Sequence, residues 1–304
     1  DCINASSQNE FYIVVFSIPL VSQVELYLVI LLIYLMAVLG NLTIIFLVCL
    51  VPKLHTPMYF FLCNLAILDV ASTSTSIPKM LTIILTQDHR ISFSCCMAQI
   101  FFFIFFAEGE AFMLTSMAYD RYAAICKPLQ YYTIMRKNVY IVITISCWLF
   151  SALNSLLHTL LSSVLQFCHS YEINNFFCDL NTIIALSSTD TTSRKFFLFF
   201  EVAVFSIVQF ILIIISYIFI FSTIMKIRFS AGRMKAFSSC TSHLITVILF
   251  HAPIIILYMK PESEDSKEQD KFLSMLYLVV VPMLNPLVYS LRNKDVWEAV
   301  VTLI

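Results

Sequence analysis

The chain has 304 residues, 60% of them hydrophobic and 12% charged, with a formal net charge of −1. A soluble domain carries nearer half apolar residues, so the composition points to a membrane protein. The near-neutral charge and the lack of a basic, aromatic-laced patch exclude nucleic-acid binding, and three glycines leave little material for a phosphate-cradling loop.

A bilayer core roughly 30 Å thick needs about 20 apolar residues per helical span. After an N-terminal segment at 1–25, seven continuous apolar stretches reach that length, near 26–50, 58–84, 97–126, 139–162, 197–227, 236–259 and 272–291. Their continuity speaks against a membrane β-barrel, whose strands would read as short period-two runs. The expected fold class is therefore an all-α membrane protein, a seven-transmembrane helix bundle over 26–291. Residues 292–304 read as a short cytoplasmic segment, an interfacial helix. No cleavable signal peptide is expected, the first span acting as its own signal.

Loop charge gives the orientation, because basic residues collect on the cytoplasmic side. Lys53, Lys127, Arg136, Lys137, Lys226, Arg228, Arg233, Lys235, Arg292 and Lys294 fall on one side of a seven-span chain, and the acidic run from Glu262 to Asp270 falls on the other. The N-terminus is expected outside and the C-terminus inside. Asn4-Ala5-Ser6 is then a glycosylation sequon on the outer side, whereas Asn41-Leu42-Thr43 lies within the first span, out of reach. Cys2, Cys95, Cys96, Cys168 and Cys178 also fall outside, where disulfides persist; five is odd, so at least one is free or pairs outside the chain.

Ionisable residues inside spans are costly and mark candidate functional sites, against the competing reading of a polar group satisfied by a neighbouring helix. Asp69 lies in the second span, Glu108 and Glu110 in the third, His158 in the fourth, Glu201 in the fifth and His251 in the sixth. Eleven residues, about three turns or roughly 16 Å of rise, put Glu110 on the helical face of Arg121; Glu108 lies about 140° around from that face, toward the fourth and fifth spans. Asp69 and Glu110 can form a pair of carboxylates that either shares a proton or binds a cation. Asp120 and Arg121 close the third span, and Asn285-Pro286 breaks one backbone hydrogen bond in the seventh, leaving a hinge.

Six blocks stand in order: Gly40-Asn41, LHTPMYFFLCNLAILD at 54–69, MAYDRYAAICKPLQY at 117–131, Ser216-Tyr217, KAFSSCTSHL at 235–244 and PMLNPLVYSLRNKDV at 282–296. Together they resemble the rhodopsin-like G-protein-coupled receptors and, within them, the odorant receptors, over nearly the whole chain. The resemblance implies a plasma-membrane receptor that binds a small, mostly hydrophobic odorant and activates a stimulatory heterotrimeric G protein, with no cofactor beyond a sodium ion at Asp69 and Glu110. It implies a switch in which Asp120 holds Arg121 at rest, with Tyr217, Asn285, Pro286 and Tyr289 moving on activation. Residues 127–137 and 226–235 are the implied G-protein contacts. Cys96 and Cys178 resemble the family's disulfide pair. Ser188 stands where the usual partner of Cys168 would be, leaving Cys95 or Cys2 as candidates.

Carried over position by position, the resemblance places the ligand among Phe103, Ile104 and Ala107, Glu201 and Phe205, His251, Ile254, Ile255 and Tyr258, and Met275 and Leu278. Glu108 joins them as an unusual acid, and either Glu108 or Glu201 is the candidate counter-ion in an alternative, amine-sensing reading. Phe103 replaces the aspartate of amine receptors, which argues against the ordinary form of that reading. An enzyme is not expected, since neither an HExxH nor a GxSxG motif is present. A transporter or channel would require repeat symmetry and paired broken helices, and Pro286 has no counterpart in the first half.

Overall fold

The structure, a computed structural model, describes residues 3–4, 10–15, 20–168, 171–226, 230–259, 267–291, 296 and 298–299. Cys2, Arg228, the acidic residues 262–265 and most of the expected interfacial helix at 292–304 lie outside these, as do the side chains of Asn4, Arg233, Lys235 and Tyr258.

Seven long helices dominate: α1 (Leu20–Leu50), α2 (Pro57–Thr86), α3 (Phe93–Cys126), α4 (Lys137–Ser163), α5 (Thr192–Met225), α6 (Ser230–Met259) and α7, which runs through Lys267–Met275, a π-helical turn Leu276–Val280 and Val281–Leu291. Each contains a stretch apolar enough to cross a membrane. In lipid every backbone polar group must be satisfied within the protein, and helices meet that demand. Serine and threonine fold their hydroxyls back onto the preceding turn, as Thr43 does to the Leu39 carbonyl at 2.7 Å and Ser116 to that of Phe112 at 2.8 Å. They are thereby sealed off from the lipid.

The helix α3 is central, packed against α2, α4, α5 and α6. Leu32, Leu39 and Phe46 on α1 and Phe196, Phe200 and Ile218 on α5 face outward, as a lipid-facing surface requires. Two glycines set close approaches: Gly40 lies against the Pro286 ring and Gly109 against the Leu68 side chain. Asn41, beside Gly40, donates from Nδ2 to the Ala37 and Pro282 carbonyls, both at 2.9 Å, and ties α1 to α7. Trp148 Nε1 donates to Asn64 Oδ1 at 3.2 Å, joining α4 to α2.

The outer end is capped by short strands that the sequence pattern does not announce. β1 (Ile3–Asn4) pairs antiparallel with β4 (Gln166–Phe167). β2 (Glu10–Ile13) is the middle strand of a sheet, antiparallel to β3 (Arg90–Ser92) and parallel to β5 (Glu172–Ile173). Phe11, Ile13 and Val15 are buried, and Lys271 Nζ on α7 donates to the Val15 carbonyl at 2.8 Å. The N-terminal segment is thus stitched to both neighbouring loops and to α7. At the other end Lys53 forms a 2.6 Å ion pair with Glu298.

Candidate functional site

A cavity of about 110 Å³ lies between α3, α4, α5 and α6. Phe103, Ile104, Ala107, Glu108, Glu201, Phe205, His251 and Ile254, all expected ligand contacts, line it. Ile255, Met275 and Leu278 do not, and the Tyr258 side chain lies outside the description. Toward α7 the Tyr277 ring packs on Phe103 with centroids 5.9 Å apart, and Phe103 also packs on Phe177 at 5.0 Å. The cavity instead extends toward α4 and α5, where Phe112, Phe150, His158, Leu198, Val202 and Gln209 complete the wall.

The second outer loop roofs this region. Cys96 at the head of α3 is disulfide-bonded to Cys178. Gln99, one turn deeper, accepts from the Cys178 N–H at 2.8 Å and donates to the Thr75 carbonyl at 3.1 Å. Phe176 and Phe177 are thereby pinned inward and fully buried, and Leu180 reaches the cavity. Cys168 is disulfide-bonded as well, while Cys95 is free and exposed; the other candidate, Cys2, lies outside the described residues.

A polar cluster crosses one wall of the cavity. Asn154 on α4 donates from Nδ2 to Glu108 at 2.5 Å and to Glu201, bridging the two acids. His158, one turn further along α4, meets the other oxygen of Glu201 at 2.5 Å. The helical phase of Glu108 places it toward α4 and α5, as the structure has it; Asn154 escaped sequence reasoning because it carries no charge. Its signal was the four-residue spacing to His158, which puts the two on one face. His251 donates from Nδ1 to the Val247 carbonyl at 3.0 Å, since a carbonyl can only accept.

Deeper in the bundle, Asn285 Nδ2 donates to Asp69 Oδ2 at 2.8 Å. Asp69 Oδ1 and Glu110 Oε1 are buried without hydrogen-bond partners, a donor-poor arrangement that suits a proton or an oxygen-ligated cation. Among the described residues no cluster of three or more His, Cys, Asp or Glu could hold a metal ion.

At the C-terminal end of α3 the structure differs from the simple Asp120–Arg121 pair. Asp120 accepts from the Tyr131 hydroxyl at 2.8 Å, and among the described residues no ion pair joins it to Arg121. Neighbours in a helix do not face each other, which is the physical reason. Tyr131 lies beyond the span, in the short helix Tyr131–Ile134; burial, then the adjacent Asp120, raises its phenol above its ordinary value. Tyr217 bonds to His243 Nδ1 at 2.8 Å, and His243 Nε2 reaches the Leu114 carbonyl at 3.0 Å. The carbonyl needs a donor, so Nε2 carries the proton and Nδ1 accepts from the tyrosine. His243 thus links α5, α6 and α3, a role hidden in KAFSSCTSHL. Tyr289 is buried nearby in α7.

The family model described as "Olfactory receptor" matches residues 30–304. Olfactory receptor 1G1 of Gorilla gorilla gorilla is 44% identical over 293 residues, covering 96% of this chain and 94% of its own. Olfactory receptor 5B12 of Homo sapiens is 46% identical over 246 residues, 81% of this chain and 78% of its own, and Olfactory receptor 5AR1 of Mus musculus 44% over 247 residues, 81% and 80%.

Proposed function

We propose, from the premise that the chain belongs to the olfactory receptor family, that its odorant binds in the cavity between α3, α4, α5 and α6. The chain is a multi-pass plasma-membrane receptor for odorants, in a family of G-protein-coupled receptors and not of enzymes. The observation that carries the site is the largely apolar, phenylalanine-rich cavity beneath the disulfide-pinned loop. Apolar burial supplies the affinity, and the polar wall at Glu108 and Glu201 fixes orientation.

A ligand shifts the receptor's equilibrium only by its differential affinity for two conformations. The elements that respond in this reading are Arg121 with Asp120, the Tyr217–His243–Leu114 link, and the Asn285-Pro286 hinge with Tyr289. Their movement opens the inner end to a stimulatory heterotrimeric G protein, with the loops at 127–137 and 226–235 as its contacts. The acids Asp69 and Glu110 hold a shared proton or a sodium ion at the pivot. The segment 1–25, with a glycan on Asn4, lies outside; 26–291 is the receptor domain, and 292–304 lies inside. The loop charges support this orientation.

The test is cAMP production in cells bearing this chain and a stimulatory G protein, screened against alcohols, aldehydes, acids and amines, with surface level measured in parallel. Ala107→Phe fills the cavity and is expected to abolish responses at unchanged surface level; Arg121→Ala is expected to silence signalling to every agonist. A response untouched by Ala107→Phe sinks the assignment of the cavity.

A further inference from the structure

The charges lining the cavity do not balance. Glu108 and Glu201 contribute two carboxylates, and among the described lining residues there is neither lysine nor arginine. The one basic group engaged with them is His158, held on Glu201 at 2.5 Å. Asn154, which bridges the two acids, is neutral and its amide donates to both. With both acids ionised, this wall is short of positive charge, and either a proton on Glu108 or a cationic ligand supplies it, since an unpaired carboxylate there is costly.

The unmet hydrogen bonds point the same way. Glu108 Oε2 is buried without a partner. His251 has committed its Nδ1 proton to the Val247 carbonyl, so its Nε2, also buried and without a partner, is an acceptor. Gln209 Oε1 is a third buried atom lacking a partner. All three residues line the cavity. What the wall lacks is a cationic group with several donors, and the surrounding Phe103, Val202 and Ile254 call for a hydrocarbon body.

We infer that the preferred ligand of this cavity is a short primary alkylammonium, its nitrogen held by Glu108 and its chain packed among the aromatic side chains. The inference rests on the placement of the odorant site proposed above and names the ligand class for it. A primary ammonium brings one charge and three N–H donors, and charge-assisted bonds of this kind are about twice as strong as neutral ones. The size agrees: a cavity of about 110 Å³ is smaller than the engineered one of about 150 Å³ that holds benzene. The same shortage of positive charge at Asp69 and Glu110 does not select an organic ligand, because neither residue lines the cavity.

The experiment compares four probes of one chain length, n-butylamine, 1-butanol, butanal and butyric acid, by cAMP dose–response in cells and by thermal shift of the purified receptor in nanodiscs. Butylamine is expected to act at a concentration about tenfold or more below that of butanol, with butanal and butyrate weaker still. Glu108→Gln is expected to lower the amine response about tenfold or more beyond whatever it takes from the butanol response, so that the amine's advantage over butanol is lost. If Glu108→Gln does not reach the surface, His251→Phe is the second variant, expected to weaken the amine through loss of the Nε2 acceptor. Butanal or butyrate as the best probe, or an amine response indifferent to both variants, overturns the inference but leaves an odorant site in this cavity standing. Silence to all four probes with no thermal shift overturns it too, and the cavity then stands or falls on the Ala107→Phe test with the wider panel.

Discussion

Gly40 on α1 lies flat against the Pro286 ring on α7, so that a Cβ built on it would stand 3.0 Å from both Cβ and Cγ of the proline. A pyrrolidine ring cannot swing aside as a long side chain can. Gly40→Ala must therefore push α1 from α7, beside the Asn41 to Pro282 hydrogen bond and next to the Asn285-Pro286 hinge. Overpacking of this kind costs about 1–3 kcal/mol. The variant is expected to unfold several degrees lower in a detergent thermal melt. An unchanged midpoint would mean that the two helices can separate at no cost.

His243 makes a prediction about coupling. Its two ring nitrogens are both used, one accepting from Tyr217 and one donating to Leu114, and it is 1% exposed. His243→Phe strands the Tyr217 hydroxyl in a dry interior, at about 1–3 kcal/mol for a group left unsatisfied, while the Leu114 carbonyl keeps its partner within α3. Tyr217→Phe alone strands only the histidine. The double variant is expected to be less destabilised than the sum of the singles, since each removes the other's partner. Additive losses in a thermal-melt cycle would separate the two residues energetically and remove them from one switch.

The seven spans were legible because lipid leaves the backbone few alternatives, and a run of about 20 apolar residues is a long signal. The acids were legible for the same reason, since each stands out against an apolar background. Their partners were not: Asn154 and His243 are ordinary in type and acquire roles only when α4 meets α3 and α5, or α6 meets α5. The outer cap was illegible because strands of two to four residues leave no periodicity, and their pairing is decided by which backbone groups the loops bring together. The expected contacts Met275 and Leu278 on α7 lie away from this cavity, and Tyr277, adjacent to Leu278, packs beside Phe103.

The outer cysteines divide by reactivity. Cys95 is free and exposed, whereas Cys96, Cys168 and Cys178 are disulfide-bonded. A membrane-impermeant maleimide added to intact cells is expected to label Cys95 and to leave Cys168 and Cys178 unlabelled until a reductant is added. The same labelling reads the orientation, because Cys95 is reachable from the medium only if the head of α3 lies outside. Peptide mapping without reduction then identifies the partner of Cys168. Labelling of Cys168 in the unreduced receptor would contradict the second disulfide.

The Tyr131–Asp120 hydrogen bond bears on the switch itself. Asp120 is 2% exposed, and its bond to Tyr131 fastens the second inner loop to the end of α3. The tyrosine is raised above its ordinary value, which means that the fold favours the neutral phenol. The sign follows: the bond's contribution is fully present below the ordinary phenol value of about 10 and is lost only as pH rises through the higher folded value. Signalling across the physiological range is therefore expected to show no titration of the Tyr131 phenol. Tyr131→Phe leaves a buried Asp120 oxygen without its donor, a loss of about 1–3 kcal/mol in stability, and releases the loop at Tyr131–Ile134 from the end of α3. If the pair belongs to the switch, Tyr131→Phe and Asp120→Asn both shift basal cAMP, and the two effects do not add. Stability losses that add, at unchanged basal cAMP, would reduce the contact to an ordinary tie between a loop and a helix end, leaving Arg121 to be controlled from elsewhere.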